Sequence, residues 1–215
     1  MIDGVRVDVG REAVVVTADR ALDVVSSAIV GGGFGRARTI VNFHVPPESC
    51  PTQAEAVLEA FLRERGLPAP WVGLCTAAAT ERARIADAAH GDARALVVAT
   101  VGLSNRVAAG TTPAAAAAFA TINTIVVVDA DAEPAALVNL VATVTEVKTA
   151  LLLEAGVRCD DGAPATGTST DAVVIAATGR GARRRFGGPI SDIGWLVSRA
   201  ARQALGEGIR GWVRA

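Results

Sequence analysis

The sequence predicts an α/β protein of the α+β kind: one domain over residues 1–215, a mainly β sheet system covered by about three helices. Three observations carry this. Apolar, β-branched runs of strand length recur along the chain. Three stretches carry helix start and stop signals. Strands and helices mix without the regular βαβα alternation of a doubly wound sheet. The length is enough to bury a proper core, and neither a repeat nor a long linker divides it.

In chain order, Ala13 to Thr17 reads as a short strand and Leu22 to Val30 as another, with Ser26 and Ser27 in its middle. Gly31 to Gly35 (GGGFG) reads as a loop. Its spacing fits neither the dinucleotide fingerprint nor the phosphate loop, so the glycines point to a positive φ or to close backbone approach to a ligand. Thr39 to Val45 alternates as a half-buried strand, with Asn42 and His44 on one face, and Pro46 and Pro47 end it. Thr52 and Glu55 form a capping box for a helix over 53–66 closed by Gly66. A strand follows from Trp71. The stretch 81–105 predicts a hairpin, its turn at His90-Gly91-Asp92 leading into the apolar run Ala95 to Leu103 and ending in Ser104 and Asn105. Pro113 to Ala118 is alanine-rich and reads as a surface loop or a helical turn.

The organising stretch runs from Thr121 to Ala177. Ile122 to Val128 is a buried strand that stops at Asp129. Pro134, behind Asp131 and Glu133, starts a helix of about twenty residues that Gly156 caps. Phased at about 100° per residue, it places Leu137, Leu140, Val141, Val144, Val147 and Leu151 on one face, with Asn139, Thr143 and Glu146 roughly opposite. Lys148, the only lysine in the chain, falls inside the apolar sector. It either snorkels to solvent at the helix C-terminus or is paired. ATGTSTDAVVIA is then a small-residue loop feeding a strand. Arg183 to Arg185 reads as a solvated turn, and Ser191 caps a last helix over 191–205, ended by Gly206.

Composition narrows the function. A net charge of −1 and 4% aromatic residues give nucleic acid neither an electrostatic footprint nor stacking platforms. Cys50, Cys75 and Cys159, odd in number and widely spaced, fit reduced thiols rather than a disulfide framework or a zinc site. The N-terminus does not read as a signal peptide, and Thr121, Asn123 and Thr124 interrupt the apolar run from Ala114 to Val128. The expectation is a cytoplasmic protein without membrane or nucleic-acid partners.

With His44 and His90 the only histidines, and without HExxH, paired-cysteine or GxSxG signatures, no metal site is expected. His44 is either a general base or a half-buried strand histidine. The stronger lead is polar residues in small, apolar surroundings: Ser104, Asn105, Asn123, Glu146, Lys148 and the TGTSTD loop. The loop offers backbone N–H groups and hydroxyls of the kind that cradle an oxyanion, or else it is a turn closed by Asp171. A Thr or Ser nucleophile would need Lys148 or Glu146 as its base.

These residues resemble the adenosylcobinamide amidohydrolase family of corrinoid salvage. The matching blocks are SSAIVGGG with downstream VNFHVP, VGLSN, TINTIVVVDA, ALVNLVATVTEVKTALL, ATGTSTDAVVIA and FGGPISDIGWLV, in the family's order, from about Ser26 to Arg202. Ala120 replaces a usual glycine and Val147 a usual alanine; neither change removes a reactive group. The resemblance implies hydrolysis of the amide joining a corrin propionyl side chain to aminopropanol, which releases adenosylcobyric acid. No protein cofactor is implied, because cobalt arrives in the corrinoid; a homodimer is allowed.

On this match Glu146, Lys148, Thr168 and Asp171 are expected to be catalytic. Ser26, Ser27, Gly32, Gly33, Asn42, Ser104, Asn105, Asn123, Thr166, Gly167, Ser169 and Thr170 are expected to bind substrate. The loop and Asn123 would hold the amide while Glu146 and Lys148 move protons and stabilise charge. Two other readings are a non-catalytic corrinoid binder serving transport or sensing, and an unrelated small-amide amidase.

Overall fold

A computed structural model describes residues 1–47, 49, 51–114 and 121–214, and for 51 and 52 the backbone alone. The side chains of Cys50 and Thr52, residues 115–118 of the alanine-rich segment, and Ala120 lie outside the described residues.

Four strands open the chain: β1 (Val5–Val9), β2 (Ala13–Ser26), β3 (Gly33–His44) and, after helix α1 (Pro51–Glu64), β4 (Trp71–Thr76). The expected hairpin follows as β5 (Arg84–His90) and β6 (Ala93–Val101), with His90 opposite Ala93. Next come β7 (Arg106–Val107), β8 (Ile122–Asp129), β9 (Asp131–Ala132), α2 (Pro134–Glu154), β10 (Gly167–Thr168), β11 (Ala172–Ala177), β12 (Arg183–Arg184) and α3 (Asp192–Val213). The large sheet has eight strands in the order β4-β3-β2-β11-β8-β6-β5, with β1 on the edge of β2. Pairs β3–β4 and β8–β11 are parallel and the others antiparallel.

Strand side chains alternate between faces, and that alternation divides the core. Val14, Val16, Ile40, Val72 and Leu74 from the first strands pack with Leu96, Val98, Ile125, Val127, Val174 and Ala176 from the later ones. The sheet therefore folds back on itself, and its two halves enclose an inner core. Alternate residues Val97, Ala99, Val126, Val128, Ile175 and Ala177 point outward onto α2 and α3. On the other outer face, Val41, Phe43 and Cys75 meet Leu58 and Leu62 of α1. Helices thus cover both outer faces, as a sheet apolar on both sides requires.

Several expectations need correction. The two short strands read over 13–30 are one strand, β2, which continues through a register shift between Thr17 and Leu22. That irregularity lets β1 pair with its first half and β11 with its second. Gly33 and Gly35, read as part of a loop, lie inside β3. The last helix does not stop at Gly206 but runs to Val213.

α2 follows its expected course. Gly156 sits just past its end with φ +66°, and Val157 N donates to Leu152 O at 3.0 Å, closing the last turn. It is the one described helix long and apolar enough to cross a membrane; here it packs against β11 and α3. Thr143, expected on the polar face, is buried instead and donates to Gly187 O at 2.9 Å, because the 186–188 segment covers that side of the helix.

Candidate active site

The β8–β11 pairing sets the site. These parallel strands start together, Ala172 opposite Asn123, so Asp171 stands at the head of β11 beside the first residue of β8. Ile122 N donates to Asp171 Oδ1 at 3.0 Å. The TGTSTD loop turns back over the same carboxylate: Thr168 N donates to Oδ2 at 3.1 Å and Thr168 Oγ1 donates to Oδ1. From α2, Lys148 Nζ reaches Oδ2 at 2.5 Å. Of the two readings of Lys148, pairing is the one the fold adopts. The side chains of Lys148 and Asp171 are only 12% and 13% exposed, so the attraction acts in a medium far less screening than water.

Gly167 leaves the space for this pair. A Cβ there would lie 2.5 Å from Asp171 Oδ2 and 2.9 Å from Lys148 Nζ, closer than a side chain tolerates. Thr166 O accepts from Thr149 of α2 at 3.1 Å, and Thr166 Oγ1 accepts from Ala109 N at 2.9 Å, fixing the loop from both sides. Ser169 accepts from Asn105 Nδ2 at 2.6 Å, which joins the VGLSN strand end to the loop.

A second polar group lies between the halves of the sheet. Asn123 Nδ2 donates to Asn42 Oδ1 at 2.8 Å and to Cys75 O at 2.9 Å, and Asn42 Nδ2 donates to Thr100 Oγ1 at 2.8 Å. Thr121 Oγ1 lies 3.2 Å from Asn123 Oδ1 and 2.8 Å from Thr170 O, and its single proton links the group to the TGTSTD loop. Asn42 and Asn123, expected to touch substrate, are 2% and 1% exposed and bonded to each other. They brace the site from within. The Cys75 thiol, buried beside them toward α1, is pushed up to about 12 by desolvation and stays protonated.

The other expected residues divide. Ser104 is exposed and lines a large cleft of about 710 Å³. Arg82, Arg84, Val101, Gly102, Gly208 and Trp212 also line it. Gly102 N donates to Thr121 O at 3.0 Å, so the cleft floor abuts the buried network. Ser26, Ser27 and Gly33 lie at the same end of the sheet as the start of β11, because Ser26 pairs with both Val174 and Gly33. Their hydroxyls serve local backbone: Ser26 Oγ accepts from Ala28 N at 2.9 Å and Ser27 Oγ from Val173 N at 3.0 Å. Gly32 lies close to the backbone of the same strand end, where a Cβ would sit 2.5 Å from Ala28 O. Glu146, two residues from Lys148, is about 200° away around α2 and exposed, so the helix turns it from Asp171 and Thr168.

His44 is half-buried with Nδ1 3.2 Å from Ala78 O, and His90 stacks edge-on to Trp195; neither adjoins Asp171 in the hydrogen-bond network. Among the described residues, no three His, Cys, Asp or Glu side chains converge as metal ligands would. Sequence reading missed Thr121 and Arg106. For Thr121 the only signal was its place at the head of β8, and for Arg106 its place after GLSN.

Comparison with known proteins shows the family. A family model described as adenosylcobinamide amidohydrolase matches residues 1–215. A relative from Halobacterium salinarum named adenosylcobinamide amidohydrolase is 32% identical over 185 residues, 81% of this chain and 74% of that one. Among solved structures, a Pyrococcus horikoshii OT3 protein aligns over 98% of this chain and 80% of its own at 14% identity, TM-score 0.46. A Burkholderia sp. beta-aminopeptidase aligns over 97% of this chain and 83% of its own at 15% identity, TM-score 0.48.

Proposed function

The chain belongs to the adenosylcobinamide amidohydrolase family, and from that premise we propose that it cleaves the amide between a corrin propionyl side chain and aminopropanol, yielding adenosylcobyric acid for corrinoid salvage. The observation that carries the mechanism is a largely buried Asp171 carboxylate, held by Lys148 on one oxygen and by Thr168 Oγ1 on the other.

In this reading Thr168 is the nucleophile. Its Oγ1 forms a bond to the amide carbon while its proton passes to Asp171, and the carbonyl π electrons move onto oxygen. The tetrahedral intermediate collapses with cleavage of the C–N bond, and Asp171 returns the proton to the departing aminopropanol nitrogen. Water then hydrolyses the Thr168 ester, giving the free carboxylic acid. Lys148 fixes the carboxylate so that its other oxygen faces Thr168. Asp171 thereby takes the proton-transfer role that the sequence had offered to Glu146. The cleft beside Ser104 and Trp212 receives the corrin ring. The reaction needs no resident metal, since the cobalt is part of the substrate.

The test is to incubate the protein with adenosylcobinamide, with and without chelator, and follow adenosylcobyric acid and aminopropanol by mass spectrometry. Both products are expected under both conditions. D171N and T168A are expected to lose about 10²–10⁴-fold in kcat, the usual worth of a proton-transfer group or more. Corrinoid binding without product would replace the hydrolase by a binding domain. Full turnover by T168A would move the nucleophile to water.

A further inference from the structure

The reaction proposed above develops negative charge on the amide oxygen, and Asp171, Thr168 and Lys148 are occupied with the proton and with one another. We propose that Arg106 supplies the donor for that oxygen, its Nε–H taking the carbonyl of the scissile amide as it becomes an oxyanion. The inference rests on the hydrolase reading and adds to it a substrate-contacting residue.

Four observations place Arg106. First, it is the register partner of Thr168 in the β7–β10 ribbon. Residues directly opposite in an antiparallel pair project from the same face with Cβ atoms about 5 Å apart, so Arg106 and the proposed nucleophile share one side. Second, its guanidinium is tied down: Nη2 donates to Asp160 Oδ1 at 2.7 Å, and Cζ lies 5.8 Å from the centre of the Trp212 ring. Third, that same Trp212 lines the large cleft, so the guanidinium backs onto a wall of the proposed corrin site. Fourth, among the described residues Arg106 Nε is buried and has no hydrogen-bond partner, although the side chain as a whole is 24% exposed.

An arginine carries five N–H donors in a fixed fork. Here Nη2 holds Asp160 and the group lies over Trp212, which leaves Nε–H held in place but unspent. A buried donor without an acceptor is costly and calls for an explanation, and a substrate oxygen is one acceptor that would relieve it. Catalysis favours a donor of this kind because the bond strengthens as charge develops on the oxygen. The cation also has an outlet after the reaction, since the product is a carboxylate.

The experiment compares adenosylcobinamide turnover by wild type, R106A, R106K and D160N. R106A is expected to fall about 10²–10³-fold in kcat, with KM changed less than about threefold, the pattern of a lost oxyanion donor. Added ethylguanidinium is expected to restore part of that loss, which a merely structural role would not allow. R106K keeps the charge but not the Nε–H of the fork, and is expected to remain at least about tenfold impaired. D160N loosens an anchor that is itself 92% exposed, and is expected to lower kcat by about two- to fivefold, less than R106A.

R106K with wild-type kcat would overturn the inference, as would R106A with wild-type kcat or one that guanidinium does not rescue. R106K decides the matter if R106A fails to fold. Wild-type turnover is measured first: its absence overturns the hydrolase reading and this inference with it, whereas turnover indifferent to Arg106 overturns this inference alone.

Discussion

Glu146 and Lys148 stand two positions apart on α2, and the helix separates them by about 200°. Lys148 turns inward to Asp171, while Glu146 faces solvent. Two charged residues in one matching block are thereby given different fates by helical geometry alone. E146Q is expected to leave kcat for adenosylcobinamide within about twofold, whereas K148M, which leaves Asp171 buried without its cation, is expected to lower it about 100-fold or more. Equal losses in steady-state assays of the two variants would return Glu146 to the machinery. Cys75 shows a different residue-scale effect. Burial raises its thiol from an ordinary 9.0 to about 12, so the folded state holds a proton that the unfolded state releases above pH 9. This contribution to stability is full below pH 9 and declines as pH rises toward 12, by at most about 1.4 kcal/mol per pH unit. Denaturant midpoints measured from pH 8 to 10.5 should fall for wild type more steeply than for C75V; identical slopes would refute the assignment.

At the scale of elements, the longest departure from expectation is α3. Gly206 reads as a helix stop because glycine so often follows a last turn. In the fold, Gly206 and Gly208 lie within a helix pressed against β5 and β6, and for Gly208 close packing on β6 rather than termination accounts for the glycine. A Cβ on Gly208 would sit 2.6 Å from Val101 Cγ2, and one on Gly206 would meet Arg210 Nη1 at 3.1 Å. The same glycine type serves two ends in one chain, since Gly156 does end α2 through its positive φ. Sequence alone does not separate the two uses, because the deciding neighbour, Val101, is distant in the chain. Alanine at Gly208 gains about 1 kcal/mol of helix propensity but incurs about 1–3 kcal/mol of overpacking. G208A is therefore expected to lower the urea midpoint, and V101A in the same chain to recover part of the loss, a coupling that a double-mutant cycle reads directly. A G208A protein more stable than wild type would show that α3 has room to shift.

Across the whole molecule, the long core strands, the hairpin, α2 and the TGTSTD loop were legible because each depends on local periodicity and turn residues, whereas β1 and the two-residue strands β7, β9, β10 and β12, the last of them read as a solvated turn, were not. The folding back of the sheet was not. It depends on the register shift between Thr17 and Leu22 and on parallel pairings between distant segments. That gap explains why Asn42 and Asn123 were read as substrate contacts. A polar residue in an apolar strand has the same sequence signature whether it meets a ligand or another strand across the core. Here the two amides meet each other, joining β3 to β8 across the inner layer and anchoring the Cys75 carbonyl of β4. In a low-dielectric interior such a network is strong when complete and costly when broken. N123A would strand Asn42 Oδ1 and Cys75 O, and is expected to cost about 1–3 kcal/mol. The N42A/N123A double variant should cost less than the two single losses together, by about 0.5 kcal/mol or more. Because Thr121 ties the same network to Thr170 beside Asp171, N123A is also expected to lower kcat at temperatures where the protein remains fully folded. Strictly additive stabilities with unchanged kcat would mean that the amides are packing elements only, and that the loop holds the catalytic carboxylate without support from the core.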